Sequence, residues 1–184
     1  MPKFEDLSSD QIELVKASLW SRQYYLLTGS GISLDSNGPS GEMKSSADLK
    51  TTLCDHLKIP SSRSLQQAYS LLNGNEISAY ITDPYKCISP GGTVTKLVNY
   101  PWKRIFTLNV DDCLEEAISK LLSQQVDLKK QFEIKNYLDD FSDFSPLNVQ
   151  SVIHLHGLVK QAERGYIFSH SEYAKNIARL ICPL

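Results

Sequence analysis

The sequence predicts an α/β fold in which a mainly parallel sheet is flanked by helices. Short apolar runs lie at residues 24–27, 104–108 and 152–155, and such runs, bounded by turn residues, are typical of buried strands. Segments with apolar residues at helical spacing separate the three runs. Strands that alternate with helices favour parallel pairing, because each connection crosses over the sheet.

The first third of the chain is predicted to contain a helix, a strand and a surface loop. Ser8 or Ser9 can cap the helix, and apolar residues then recur on one of its faces. Residues 24–27 form the first strand, which ends in a tight glycine loop. Residues 34–45 are rich in Gly, Ser and Pro, which is typical of a mobile surface loop.

Helices dominate the middle of the predicted fold. Ser45 or Ser46 caps one helix and Ser64 begins the next, since a serine before an apolar repeat is a frequent helix start. Asp83-Pro84 ends a third helix, because proline cannot continue it. Ser89-Pro90 has the order of a cap followed by a first-turn proline, so we expect another helix to begin there.

The remaining elements follow the second and third strands. Asp111 or Asp112 is expected to begin a helix, where a carboxylate suits the positive end of the helix dipole. Residues 165–168 are predicted to form a fourth strand, and residues 171–181 are predicted to form a final helix.

Composition and charge exclude several classes of function. Hydrophobic residues make up 41% and charged residues 22% of the 184 residues, as in soluble folded proteins. The net charge of −2 lacks the Lys/Arg surplus that direct binding of nucleic acid or of an anionic membrane requires. No apolar stretch reaches the roughly 18–20 residues that cross a bilayer, and the N-terminus has no export pattern. We therefore expect a cytoplasmic protein.

Four cysteines, Cys54, Cys87, Cys113 and Cys182, are spread along the chain. None pairs with another at the C-x-x-C spacing of a structural zinc site. In a chain without an export pattern, thiols are more often reduced than bridged. We expect small reduced side chains and no zinc.

Each predicted strand ends in polar or glycine-rich residues, and in open parallel sheets ligands bind outside the carboxyl ends of the strands. The first strand ends at Gly29-Ser30-Gly31-Ile32-Ser33. Glycines let backbone N–H groups approach a phosphate closely, and Ser33 adds a hydroxyl donor. The cluster matches neither the dinucleotide-binding fingerprint nor the P-loop, so an ordinary turn is the alternative.

The second strand ends at Asn109, and Asp111 and Asp112 follow it. An asparagine can hold a water molecule or a ribose hydroxyl, and an aspartate can accept a hydrogen bond from that hydroxyl. A helix cap is the alternative role for either aspartate, and it leaves Asn109 unexplained. Which aspartate would contact a ribose stays open.

The third strand ends at His154-Leu155-His156-Gly157, where the two histidines share a face of the strand. His156 lies at the strand end, where it can act as a base or as a hydrogen-bond partner. His154 lies one pleat deeper, and we expect it to support the site or to pack in the core. A metal site would need a third ligand, and none lies near in the sequence.

Taken in order, GSGIS, TLNVDD and HLHG resemble three motifs of the sirtuin superfamily. Sirtuins carry a Gly-Ala-Gly-Ile-Ser loop, a Thr-Gln-Asn-x-Asp segment and a His-Gly pair; here Ser30 replaces the alanine and Leu108 replaces the glutamine. The likeness spans residues 24–173. Sirtuin deacylases also carry a four-cysteine zinc ribbon after the His-Gly pair, whereas only Cys182 follows His156 here. The chain is therefore most similar to the zinc-free sirtuin-like domains of bacterial anti-phage defence proteins, which hydrolyse NAD.

The resemblance implies a Rossmann-like, NAD-binding domain. Residues 1–184 would form its N-terminal portion, with no second domain, and we expect it to be incomplete at the C-terminus, because the family's later glycine-rich strand does not occur before Leu184. Matched motif by motif, the implied catalytic residues are Asn109, His156 and Asp111, and the implied NAD-binding residues are Gly29, Ser30, Gly31, Ser33 and Asp112.

The implied activity releases nicotinamide and ADP-ribose from NAD, which is a substrate here, without zinc. The implied setting is the effector of a bacterial abortive-infection system, joined to further domains or to a partner effector or sensor subunit, and assembled as a homo-oligomer. Residues 34–45 would close over the nicotinamide end. Two alternatives stay open: a non-catalytic NAD or ADP-ribose sensor that gates a partner effector, and an NAD-dependent protein deacylase or ADP-ribosyl transferase. A plain scaffold would not bind NAD.

Overall fold

Parallel strands form the central sheet of the protein. The structure is a computed structural model that describes residues 7–124, 131–139 and 149–168, together with Glu172 and Ala174. In chain order the strands are β1 (Tyr25–Thr28), β2 (Asn37–Gly38), β3 (Gly41–Glu42), β4 (Arg104–Thr107), β5 (Gln131–Asn136) and β6 (Val149–His154). The four-stranded sheet has the order β1-β4-β6-β5, and every neighbouring pair is parallel. The predicted α/β fold is therefore confirmed, and its outline is consistent with a Rossmann-like fold.

The register of the sheet aligns the last residues of its four strands in one polar row. Thr28, Thr107, His154 and Asn136 lie side by side in this row, and all four are buried. The carboxyl edge of the sheet is therefore polar even where water is excluded.

The first strand is less buried than predicted. β1 lies at the edge of the sheet, and its Tyr25 and Leu27 are 53% and 66% exposed. Ile105 of β4 and Val152 of β6, which occupy the inner strands, are fully buried. The prediction was wrong on this point because apolar composition does not reveal how many neighbours a strand has.

Serine caps begin three of the helices, as predicted. Ser8, Ser45 and Ser64 each accept a hydrogen bond from the backbone N–H three residues later, within a capping box. In chain order the helices are α1 (Ser9–Trp20), α2 (Ser46–Leu57), α3 (Leu65–Tyr69), α4 (Gly74–Ile77), α5 (Gly92–Asn99) and α6 (Cys113–Gln124). Short 3-10 segments span Ser30–Ser33 and Val159–Arg164, and a π-helical turn spans Ser78–Thr82, just before Asp83-Pro84.

The helix predicted at Ser89-Pro90 begins later, at Gly92. Ser89 instead pairs with Asn37 in an isolated β-bridge. The carboxylate of Asp35 accepts hydrogen bonds from the backbone N–H and from the hydroxyl of Thr93, at 2.9 and 3.0 Å. Asp35 thus caps α5 from a distant segment, which a local Ser-Pro pattern does not reveal.

Residues 34–45 carry more structure than predicted. Within them β2 and β3 form an antiparallel hairpin, and Ser36 and Met43 are buried. The hydroxyl of Ser36 accepts a hydrogen bond from the backbone N–H of Gly91 at 2.9 Å. These contacts fasten the segment to the start of α5.

The fourth strand of the sheet is β5, which the sequence analysis did not predict; it pairs with β6 over its full length. Residues 165–168, predicted as a strand, have no regular secondary structure. They begin at Gly165, whose φ is +80° at the end of a 3-10 helix, and their three apolar residues are buried. An apolar run packed in a loop therefore resembled a strand. The helix predicted over residues 171–181 lies outside the described residues, except for Glu172 and Ala174, which are helical.

Buried side chains from the inner strands and from α2, α5 and α6 form one hydrophobic core. Leu53 of α2, Val94 and Val98 of α5, and Ala117 of α6 are fully buried. By contrast, α1 has no buried residue, so its predicted apolar face does not join this core. Within the described ranges, no helix has the length and apolar character needed to cross a membrane.

Candidate functional site

A pocket of about 530 Å³ opens at the carboxyl edge of the sheet. Gly29 and Ser30 reach it from the end of β1, Asn109 and Asp111 from the end of β4, and His156 from the end of β6. The three segments meet because β1, β4 and β6 are neighbours whose ends are aligned. The predicted crevice is therefore present, and it contains residues from all three sequence clusters.

Asn109 is tied to the loop after β1 by a buried chain of hydrogen bonds. Its Nδ2 donates to the hydroxyl of Ser33 at 3.0 Å, and that hydroxyl donates to Oδ1 of Asp111 at 3.1 Å. The backbone N–H of Asn109 donates to Oγ1 of Thr107 at 3.0 Å. One N–H of the amide is thereby engaged, so the amide oxygen and the second N–H are the groups that Asn109 can offer to a ligand in the pocket.

Asp111 combines a capping contact with a place in the pocket lining. Its Oδ1 accepts a hydrogen bond from the backbone N–H of Cys113, the first residue of α6, at 3.1 Å. Burial raises the pKa of Asp111, and the hydrogen bonds from Cys113 and Ser33 oppose that shift. Asp111 consequently binds a proton more readily than an exposed aspartate does.

His154 supports Asn109 from the core side of the pocket. Its Nδ1 lies 3.1 Å from the carbonyl oxygen of Asn109, and its Nε2 lies 2.7 Å from Oε1 of Glu115. Since a carbonyl oxygen only accepts hydrogen bonds, Nδ1 carries a hydrogen and donates to Asn109. The other ring nitrogen, Nε2, shares a proton with the carboxyl group of Glu115. Burial lowers the pKa of His154, but the charge and hydrogen bond of Glu115, the hydrogen bond to Asn109 and the charge of Asp111 together outweigh burial and raise it. The fully buried histidine thus joins β6 to α6 and holds the backbone of Asn109.

His156 is half-buried in the pocket lining, just after β6. Its ring hydrogen-bonds the carbonyl of Leu108 and lies 6.1 Å from the ring of Phe168. Gly157 permits the turn that follows, because its φ is +96° and a Cβ there would lie 2.6 Å from the carbonyl oxygen of Gly165. Burial lowers the pKa of His156, and the hydrogen bond to Leu108 only partly offsets that shift. The ring is therefore mainly neutral at pH 7 and can accept a proton.

Three of the predicted NAD-binding residues do not line the pocket. Ser33 is buried and turned towards Asn109 and Asp111, and Gly31 is exposed outside the lining. Asp112 accepts a hydrogen bond from the backbone N–H of Cys87 and lies 3.4 Å from Nζ of Lys160. Of the two aspartates, Asp111 is the one that lines the pocket.

Sequence reasoning missed several polar residues of the lining, among them Lys44, Lys50 and Tyr85. Lys44 lies in the segment predicted as a surface loop, Lys50 lies in α2, and Tyr85 follows the π-helical turn. No local pattern marks them, because lysines beside a helix start are common on any protein surface. Only the tertiary structure brings these separate segments to the same pocket.

The described residues contain no group of three or more His, Cys, Asp or Glu side chains that could hold a metal ion. Cys54, Cys87 and Cys113 are free thiols, and Cys182 lies outside the described residues. A hydrogen bond with Cys87, burial and the charge of Asp111 raise the pKa of Cys113, so its thiol stays protonated.

No family model matches the chain, and no curated protein matches it.

Proposed function

We propose that the chain hydrolyses NAD to nicotinamide and ADP-ribose in this pocket. One observation carries the proposal: Gly29-Ser30, Asn109-Asp111 and His156, which come from three strand ends, line the same pocket. These are the residue types, in the same order, on which the likeness to zinc-free sirtuin-like domains depends. By that likeness we also propose that the protein is the effector of a bacterial anti-phage system, acting with further domains or a partner subunit.

Hydrolysis breaks the bond between the nicotinamide nitrogen and C1′ of the ribose, and the electron pair leaves with nicotinamide. Water forms the new C–O bond at C1′ and loses a proton, so the products are nicotinamide, ADP-ribose and H⁺. Because the leaving group departs neutral, positive charge develops on the ribose in the transition state. The protein's task is to position the ribose and the water and to exclude other solvent.

Each lining residue has a role that suits this reaction. The amide oxygen of Asn109 orients the water or a ribose hydroxyl, and the neutral ring of His156 accepts a hydrogen bond or the proton. Asp111 holds a ribose hydroxyl, and the backbone of Gly29 and Ser30 approaches the pyrophosphate.

The test is to incubate the full-length chain with NAD and to follow free nicotinamide. We expect Asn109→Ala and His156→Ala to lower its release by about 100-fold or more, which is the usual contribution of a positioned acid or base. Both residues lie after strand ends rather than in the apolar core, so both variants should remain folded by circular dichroism.

The matched controls are Asn99→Ala and His56→Ala, which remove the same side-chain types outside the pocket lining. Asn99 ends α5, and His56 contacts Glu76 and Tyr80. Both controls should release nicotinamide at the wild-type rate. Undiminished release by either pocket variant would remove that residue from the mechanism.

A non-catalytic sensor of NAD or ADP-ribose is the second candidate. The side chains of Asn109 and Asp111 already form hydrogen bonds within the protein, an arrangement that also suits a rigid binding site. Saturable binding of ADP-ribose, with no nicotinamide release from NAD under any condition, would favour the sensor over the hydrolase.

A further inference from the structure

Besides the residues at the strand ends, a second group of residues, which includes two lysines, lines the pocket. We call it the α2 wall; it consists of Lys44, Ser46, Ala47 and Lys50, all of which line the pocket. Within the described part of the chain, neither lysine forms an ion pair. The pocket lining therefore carries two positive side chains against the single carboxyl group of Asp111, whose pKa burial raises.

The first turn of α2 adds backbone donors to this wall. The four N–H groups at the start of an α-helix have no acceptor within the helix. In the capping box, Asp48 accepts from the N–H of Ser45, and Ser45 accepts from the N–H of Asp48. The N–H groups of Ser46 and Ala47 are the ones left for a ligand, at the positive end of the helix dipole.

Tyr85 is an independent indication that this part of the pocket holds a ligand. The residue is only 7% exposed, it lines the pocket, and its buried hydroxyl makes no hydrogen bond among the described residues. Tyr85 lines the pocket together with Asp111 and residues of α2, and the charges of Asp111 and Asp48 both act on its hydroxyl and raise its pKa. A buried hydroxyl without a partner is costly unless a bound group satisfies it.

We propose that the α2 wall binds the pyrophosphate of the dinucleotide. Lys44 and Lys50 supply the charge, the N–H groups of Ser46 and Ala47 supply directed hydrogen bonds, and the hydroxyl of Tyr85 donates to a phosphate oxygen. This inference rests on the proposed function, which supplies its ligand. It adds these groups, which none of the three sequence motifs contains, to the backbone of Gly29 and Ser30 that the proposed function already places near the pyrophosphate.

The test measures binding by calorimetry with the full-length chain, using ADP-ribose and nicotinamide riboside, which lacks a pyrophosphate. We expect the double variant Lys44→Gln/Lys50→Gln to bind ADP-ribose about 10- to 100-fold more weakly, as for the loss of two charge-assisted contacts. Its affinity for nicotinamide riboside should not change. Added salt should weaken ADP-ribose binding to the wild type more than to the double variant.

The matched control is Lys96→Gln/Lys120→Gln, which removes two exposed lysines outside the pocket lining. It makes the same change of net charge and should bind ADP-ribose as the wild type does. Tyr85→Phe should also weaken ADP-ribose binding while leaving the fold intact.

Equal ADP-ribose affinity in the wild type and the Lys44/Lys50 double variant, or no ADP-ribose binding at all, would overturn the proposed subsite. If the double variant also releases nicotinamide with the wild-type KM, the subsite fails while the hydrolase stands. Lysine-dependent binding of ADP-ribose without nicotinamide release has the opposite meaning, because the subsite then stands and the hydrolase fails.

Discussion

At the scale of single residues, Ser33 has an unexpected position. Its hydroxyl accepts from Asn109 and donates to Asp111, and the residue is 2% exposed. Ser33 therefore holds the side chains of Asn109 and Asp111, both of which line the pocket, and does not itself line the pocket. A serine in a glycine-rich loop was predicted to donate to phosphate, and here it acts as a positioning residue.

Replacing Ser33 by alanine should lower both stability and activity. The change leaves a buried amide and a buried carboxyl without their shared partner, which costs about 1–3 kcal/mol. Urea denaturation measures this loss. Ser123→Ala, at an exposed hydroxyl of α6 that donates to Lys120, should change stability by less than about 0.5 kcal/mol. A Ser33→Ala protein as stable as the wild type would show that the hydrogen-bond chain carries no stability.

The pKa of His156 predicts how activity depends on pH. Burial lowers that pKa from its ordinary value of 6.5, and the neutral ring is the active form in the proposed reaction. The acid limb of kcat/KM for nicotinamide release should therefore have an apparent pKa below 6.5. When the pH falls below the pKa of this histidine in the unfolded chain, the unfolded chain becomes protonated before the folded protein does. His156 therefore lowers the stability of the folded protein as the pH falls. An acid limb centred above 6.5 would contradict this assignment.

At the scale of elements, the contact between β6 and α6 holds the site in place. His154 of β6 lies between the carbonyl of Asn109 and the carboxylate of Glu115 in α6. The polar row at the strand ends, the segment after β4 and the start of α6 are thus joined by one buried ring. The second oxygen of Glu115 is buried without a hydrogen bond among the described residues, so the pair is sensitive to any change of charge.

Glu115→Gln should remove a pH-dependent part of the stability. Glu115 raises the pKa of His154 above 6.5, so its stabilisation is complete below that value and is lost as the pH rises through the folded-state pKa. We expect the variant to be about 1–3 kcal/mol less stable than the wild type near pH 6, with a smaller difference at alkaline pH. Urea denaturation across this range measures the difference. Glu13→Gln, in an exposed pair with Lys16, should show neither effect.

Two glycines at strand ends should respond differently to alanine. Gly157 has a φ of +96°, and a Cβ there would meet the backbone oxygen of Gly165 at 2.6 Å, so Gly157→Ala should lower stability by more than about 1 kcal/mol. Gly29 has a φ of −132°, and a Cβ there would meet no atom within 4 Å.

Gly29→Ala should therefore keep the wild-type melting temperature while weakening ADP-ribose binding, because its methyl group enters the space that a close phosphate would need. Thermal unfolding and calorimetric titration check the two halves of this prediction. Loss of stability in Gly29→Ala, or unchanged affinity, would count against a ligand at the end of β1.

At the scale of the whole molecule, the parallel sheet makes one pocket from three distant segments. β4 and β6 lie between the edge strands β1 and β5, and their aligned ends bring the segments after β1, β4 and β6 together. The first turn of α2 also contributes residues to the pocket lining.

Hydrogen exchange of the full-length chain should reveal this arrangement. Without a ligand, amides of the inner strands β4 and β6 should exchange most slowly, because their backbone is paired on both sides. Saturating ADP-ribose should slow exchange together at residues 29–33, 108–113 and 44–48, and leave α1 unchanged. Protection confined to one of these segments would mean that the pocket does not act as a single site.

Three of the four parallel strands could be predicted from the sequence, because short apolar runs that end in glycine, asparagine or histidine have few other interpretations. β5 was missed although apolar and charged residues alternate along Gln131–Asn136, because the prediction relied on continuous apolar runs and this alternation, which also favours a strand, was overlooked. Residues 165–168 were misassigned because a buried loop can be as apolar as a strand. The apolar composition of a segment indicates that it is buried, whereas its pairing into a sheet depends on which other strands lie beside it.

The amino-acid sequence by itself determined the parallel sheet, most helix starts and the three polar clusters after β1, β4 and β6, because these features follow from local periodicity and capping chemistry. Only the tertiary structure decided that Ser33 faces Asn109, that Asp112 faces Lys160, and that Lys44, Lys50 and Tyr85 join the pocket. The direction in which a loop side chain points depends on segments far away in the chain, and no local pattern records those contacts.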